Sequence, residues 1–188
     1  MGAEYERKFK GNPAVKESLS GPWHTIAMET TYYDTPSRAL SALRYTLRRR
    51  FENGISVCTL KTPGKDGVRG EWETECEHIV DAIPELCKLG CPADLPQLCA
   101  EGLVPLCGAR FTRKTQLLTF PGGTAELALD TGILFGKEKE LPLCEIELEL
   151  KDGSREALDA FAEAFAAKHG LLPEEKSKFA RARALCEE

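Results

Sequence analysis

Glutamate and lysine alternate near the start of the chain, where Glu4, Glu6 and Lys8 are spaced two residues apart. The spacing returns at Arg48 and Arg50, at Arg69, Glu71 and Glu73, at Glu126 and Asp130 across Ala128, and at Glu145, Glu147 and Glu149. In an extended strand such residues share one face, so each set presents its charges together. The opposite faces carry Tyr5, Arg7 and Phe9 in the first set and Ile146, Leu148 and Leu150 in the last. Arginine offers phosphate oxygens a planar fork of donors, and lysine offers a compact point charge. Mg²⁺ and Mn²⁺ take a few carboxylates together with water and phosphate oxygens. Phosphoryl transfer needs mainly positioning and charge neutralisation, so these residue types suit a triphosphate group held with divalent cations.

Strands must carry these sets. Period-two alternation runs through 4–9, 25–33, 43–51, 54–62, 68–77, 109–120, 124–135 and 141–151. Glu52-Asn53-Gly54, Pro63-Gly64-Lys65-Asp66-Gly67 and Pro121-Gly122-Gly123 supply turn chemistry between them. Helices are predicted at 13–20, 79–89, 96–102, 154–169 and 174–185. The clearest has Ser154 as cap, Leu158, Phe161 and Phe165 on one stripe, and Gly170 as its stop. The expected fold is α+β and mainly β, a single domain over 1–188 built as a barrel or curled sheet. Two arrangements satisfy the pattern. A two-sided sheet would send the charged faces to solvent. A closed eight-stranded antiparallel barrel would turn them into a wet tunnel, because unpaired charges in a dry core each cost several kcal/mol.

The 188 residues are 42% apolar and 29% charged, the profile of a soluble globular protein. A formal charge of -5 argues against general nucleic-acid binding. No apolar run nears the roughly 20 residues that cross a bilayer, so no membrane association is expected. The charged N-terminal segment lacks the apolar core of a signal peptide, so a cytoplasmic location is expected. The eight cysteines form no CxxC pair and read as free, mostly buried thiols. Monomer and homodimer both stay open.

Taken in order, the motifs resemble the CYTH family, also called triphosphate tunnel metalloenzymes. Glu4-x-Glu6-x-Lys8 is similar to its ExExK signature, and Tyr32-Tyr33-Asp34-Thr35-Pro36 to its aromatic-Asp-Thr segment. Leu47-Arg48-Arg49-Arg50, Thr59-Leu60-Lys61, Arg69-Gly70-Glu71, Arg113, Asp130, Glu145-Ile146-Glu147 and Ser177-Lys178-Phe179 follow in the family's order. The resemblance implies a closed eight-stranded tunnel, with helices packed outside, that acts on triphosphate or triphosphorylated compounds with Mg²⁺ or Mn²⁺. It implies that Arg48, Arg50, Lys61, Arg69, Arg113 and Lys178 hold phosphates, joined by Lys8, which also assists the reaction. Glu4, Glu6, Asp130, Glu145 and Glu147 would coordinate metal directly or through water, with Glu4 and Glu6 beside Lys8 at the reaction. Glu71 and Glu73 would support the basic residues. Inorganic triphosphate is the leading small-molecule substrate. The alternatives are thiamine or nucleoside triphosphate hydrolysis, cyclisation of ATP to cyclic AMP, and a polyphosphate-binding module without turnover. Trp23, Tyr32 and Tyr33 are the candidates for a shelf under an organic group.

Overall fold

The alternating segments form eight strands in the computed structural model, which describes residues 5–64 and 70–187. Glu4 and Arg69 lie outside the described residues. In chain order the strands are β1 (Glu6–Lys10), β2 (His24–Asp34), β3 (Thr46–Glu52), β4 (Ile55–Thr62), β5 (Gly70–Glu75), β6 (Val104–Phe120), β7 (Gly123–Gly136) and β8 (Lys139–Gly153). The helices are α1 (Val15–Ser18), α2 (Ala39–Ala42), α3 (Ile79–Lys88), α4 (Leu95–Leu98), α5 (Arg155–His169) and α6 (Lys178–Ala184). All strand pairs are antiparallel, in the order β1-β8-β7-β6-β2-β3-β4-β5. The β3–β4 hairpin turns on Asn53 (φ 51°) and Gly54 (φ 90°). Two positive φ angles in succession favour this pair of residues at a tight turn.

The expected closure is corrected. β1 and β5 do not pair among the described residues, so the sheet is a strongly curled half-barrel rather than a closed tunnel. The outer edge of β1 is occupied by the segment leading to α6. Lys10 N donates to Leu172 O at 2.8 Å and Glu174 N donates to Lys8 O at 3.0 Å, around a bridge between Phe9 and Pro173. An edge satisfied in this way has no backbone groups left there for β5.

Two apolar layers cover the convex face. Phe9, Leu127, Leu129, Ile146 and Leu148 pack against Leu158, Ala162 and Phe165 of α5, with Phe161 stacked on Phe120 at 4.6 Å. Ser154 caps α5, its Oγ accepting from Ala157 N, and Gly170 ends it at φ 61°. Leu47, Cys58 and Leu60 pack against Ile79, Ala82, Ile83 and Leu86 of α3 and Leu95 of α4. Full burial of each leucine, isoleucine or phenylalanine among them contributes roughly 1.5–3 kcal/mol.

The expectation that every helix lies outside is also corrected. α6 packs on the concave face, where Ala182 and Phe179 meet Met28, Tyr32, Ala109, Phe111, Leu134 and Leu143. α2, absent from the predicted elements, is built by Asp34. This buried carboxylate accepts from Thr35 N (2.8 Å), Leu40 N (3.0 Å) and Ser41 N (3.2 Å). The aromatic-Asp-Thr segment is therefore explained by a backbone turn. All eight cysteines are free thiols, and four of them are buried.

Tight curling needs small residues between β6 and β7. A Cβ on Gly132 would lie 2.2 Å from Arg110 O and 2.5 Å from Phe111 Cα. Gly132→Ala should therefore destabilise the fold by about 2 kcal/mol in urea denaturation. An unchanged midpoint would show that the sheet yields there without penalty.

Candidate functional site

The concave face encloses a cavity of about 610 Å³ lined by residues from all eight strands and α6. Alternation places the charges there as the sequence predicts. Glu6 and Lys8 of β1 point in, while Arg7 pairs on the convex side with Asp159 of α5 at 2.7 Å. Arg48 and Arg50 point in, and Arg49 turns out to donate to Glu77 O at 3.0 Å. Lys61, Glu71, Glu73, Arg113, Glu147 and Lys178 also line the cavity. Arg110 lies on the outer face, exposed, with its guanidinium 5.3 Å from the Phe135 ring centroid.

Asp130 and Glu145 are 0% exposed and form a floor below the lining. Arg113 grips Asp130 with two bonds, Nε to Oδ1 at 2.8 Å and Nη2 to Oδ2 at 2.7 Å, and reaches Glu147 Oε2 at 2.5 Å. The Lys178 ammonium lies 2.8 Å from Asp130, 2.6 Å from Glu145 and 2.7 Å from Glu147. Arg181, one helical turn after Lys178, pairs with Glu145 and Glu174. Three carboxylates thus face three cations in a low-dielectric floor, where removing either sign alone is strongly unfavourable.

Protonation follows from this arrangement. Burial acts to lower the Lys178 pKa, but Glu147, Asp130 and Glu145 outweigh it and hold the ammonium above its usual range. Arg113 is likewise held up against burial by Glu147 and Asp130. Burial acts to raise Glu147, yet Lys178 and Arg113 keep its carboxyl well below the usual carboxylate range. Burial pushes Glu145 up against the pull of Lys178. Burial and the neighbouring Arg48 lower Arg50.

Above the floor, Glu71 lies 3.2 Å from Lys61 and 3.8 Å from Arg48. Arg50 pairs with Glu52, and Thr59 Oγ1 donates to Glu73 at 3.3 Å. At the other side, Glu6, Glu149 and Glu126 stand opposite one another on β1, β8 and β7. Lys8 lies 3.9 Å from Glu6, and Lys151 lies 2.9 Å from Glu149 and 3.8 Å from Glu126. Seven cations and seven carboxylates line the cavity among the described residues. Arg48, Arg50 and Lys61 gather on β3 and β4, and Glu6, Glu126, Glu147 and Glu149 on β1, β7 and β8.

The donor set fits a hard divalent cation. Asp130, Glu145 and Glu147 each offer an oxygen within 4.8 Å of the others, and Mg²⁺ and Mn²⁺ favour such oxygen ligands. Glu147 is the member that lines the cavity, opposite Lys8 in the strand register, and Glu6 lines the same cavity. Sequence reasoning missed Arg181, although its i+3 spacing from Lys178 was a usable signal. It also missed Lys151, Glu52 and Phe111, whose ring lies 5.6 Å from Lys178 Nζ and 5.9 Å from the Arg113 guanidinium. Of the three aromatic shelf candidates only Tyr32 lines the cavity. Trp23 and Tyr33 pack into the two convex-face clusters.

A carboxyl whose folded pKa is depressed contributes stability above its unfolded value and loses it as pH falls through the folded one. Glu147→Gln should therefore cost about 3 kcal/mol near neutral pH. That gap should persist down to about pH 4.3, the ordinary carboxylate value, and shrink below it. Urea denaturation across this range is the measurement, and a gap that ignores pH contradicts the pairing.

An inorganic triphosphatase of Haemophilus influenzae is 33% identical over 140 residues, which are 73% of this chain and 40% of that protein. The chain thus spans about two fifths of that relative. Among solved structures, the Hippeastrum protein HpAC1, described as an adenylyl cyclase candidate with a dominant triphosphatase activity, matches with a TM-score of 0.66 and 24% identity. The match covers 98% of this chain and 97% of that one. A protein from Pyrococcus horikoshii OT3 matches with a TM-score of 0.61 and 22% identity, over 94% and 97% of the two chains. The sequence model of the CYTH domain matches residues 2–182, and the chain belongs to the CYTH domain family.

Proposed function

We propose that this chain hydrolyses inorganic triphosphate in the concave cavity with the help of Mg²⁺ or Mn²⁺. The observation that carries this reading is the matched lining, seven cations and seven carboxylates among the described residues, with Arg48, Arg50 and Lys61 on β3 and β4 across from Glu6, Glu126, Glu147 and Glu149 on β1, β7 and β8. A polyanion entering alone would leave the carboxylates repelling it, and cations alone would meet the arginines. A metal–triphosphate pair preserves the balance and places each sign against its complement. The name of the Haemophilus relative and the activity stated for the Hippeastrum protein support the same reaction class.

In this reading Arg48, Arg50, Lys61, Arg113 and Lys178 receive the phosphate oxygens, and Glu71 keeps Arg48 and Lys61 in place with Glu73 beside it. Lys8, opposite Glu147 in the strand register, contacts the reacting phosphate. Preorganised cations of this kind stabilise charge that develops in the transition state. Glu6 and Glu147, with Asp130 and Glu145 behind them, hold the divalent ion directly or through water. Such an ion supplies charge neutralisation and a means of positioning the attacking water. The Lys178 ammonium exchanges its carboxylate partners for phosphate oxygens, which links phosphate binding to metal binding.

Inorganic triphosphate is favoured over thiamine triphosphate, nucleotides and cyclisation of ATP. Tyr32, the one shelf candidate in the cavity, is 4% exposed and packs on Phe179 with centroids 5.0 Å apart, so its own ring has little face left to stack on an organic group.

Purified protein with Mg²⁺ or Mn²⁺ should release phosphate faster from triphosphate than from ATP or thiamine triphosphate. Cyclic AMP formation, or no phosphate release, contradicts the proposal. Glu6→Gln should lower kcat by about 100-fold while changing triphosphate affinity less than about threefold. Equal losses in both would remove Glu6 from its assigned role.

A further inference from the structure

Three cations serve the buried floor, and they are not equivalent. Arg113 and Lys178 line the cavity, whereas Arg181 is not among the lining residues. We infer that Arg181 is a positioning residue that stays on Glu145 when Lys178 turns to the phosphate chain, so that triphosphate binds without leaving a buried carboxylate unpaired. The inference rests on the reading above, in which Lys178 exchanges carboxylates for phosphate oxygens.

The partners of each carboxylate single out Glu145. When Lys178 leaves, Asp130 keeps both bonds from Arg113, Nε at 2.8 Å and Nη2 at 2.7 Å. Glu147 keeps Arg113 as well. Glu145 is 0% exposed, and it pairs with Lys178 through Oε1 and with Arg181 through Oε2. No third cation pairs with it among the described residues. A buried carboxylate without a cation is strongly unfavourable, so Lys178 is released at low cost only while Arg181 remains.

Arg181 is held so that it remains. Its Nη1 reaches Glu174 at 3.4 Å while Nη2 holds Glu145, and its side chain is 14% exposed. Glu174 is itself fixed twice, with its N–H donating to Lys8 O at 3.0 Å and its Oε1 accepting from Lys176 N at 3.0 Å. Arginine suits this place because its rigid fork meets two carboxylates at once. Lysine suits position 178, where a single ammonium on a flexible stem moves between partners. The i+3 spacing puts both on one face of α6. There Arg181 N donates to Ser177 O at 3.0 Å in the turn that Ser177 caps.

The test is calorimetric binding of imidotriphosphate with Mg²⁺ to the wild type, Arg181→Gln, Arg181→Lys, Glu145→Gln and the variant carrying both Gln substitutions. Arg181→Gln should weaken binding about 30-fold in the wild-type background and less than about threefold where Glu145 is already replaced. Comparing backgrounds cancels any effect that Glu145→Gln has on the metal. Arg181→Lys retains a cation for Glu145 and should lose less than about fivefold. Equal losses in both backgrounds, or none in either, overturn the role and leave the proposed function standing.

A crystal structure of the wild-type complex reads the same exchange without a variant that has to fold. Lys178 should lie on a phosphate with the Arg181–Glu145 pair intact. Lys178 still on Glu145, or Arg181 on a phosphate, overturns the role. Binding that shows the expected dependence on Glu145, without phosphate release from triphosphate, supports the role and overturns the hydrolase reading instead.

Discussion

A carboxylate removed from water costs several kcal/mol unless a cation meets it, and Asp130 and Glu145 have been removed completely. Their compensation by Arg113, Lys178 and Arg181 is the constraint around which the rest is arranged. It ties three strands to a helix remote in sequence. Arg113 comes from β6, Asp130 from β7, Glu145 and Glu147 from β8, and Lys178 and Arg181 from α6. An apolar floor of similar volume would be as stable or more so. What the ionic floor adds is a fixed position for Arg113 and Lys178 at the boundary between protein and cavity.

Two other features follow from that boundary. Because α6 must bring Lys178 to the floor, it lies inside the curl of the sheet, and its approach segment fills the outer edge of β1. The half-barrel and the concave helix are therefore one structural solution. The convex layers carry most of the apolar burial, through α5 on one side and α3 with α4 on the other. Stability is thus separated from the site, and the concave face can remain wet and charged.

Period-two alternation made the inward direction of Lys8, Arg48, Arg50, Glu71 and Glu147 legible in the sequence, since strand geometry leaves only two faces. It separated Arg113 from Arg110 on the same ground. Alternation is silent on which edges meet, so closure was over-read. The residues that satisfy the β1 edge, Leu172 to Glu174, carry no strand pattern. The C-terminal helix was predicted, but its side of the sheet was not, because a seven-residue helix with Phe179 and Ala182 has no long apolar stripe to read. Burial of Asp130 and Glu145 was equally hidden. Exposed and buried carboxylates look identical until their partners are located.

The central claim is that opposite charges from separate strands form one wet cavity that receives a metal–triphosphate pair. The most direct measurement is a crystal structure of the protein with Mn²⁺ and a slowly hydrolysed imidotriphosphate. The account predicts phosphate density between Arg48, Arg50, Lys61 and Arg113, and an anomalous Mn²⁺ peak beside Glu6 and Glu147. Phosphates bound only on the convex face, or metal remote from both glutamates, would contradict it.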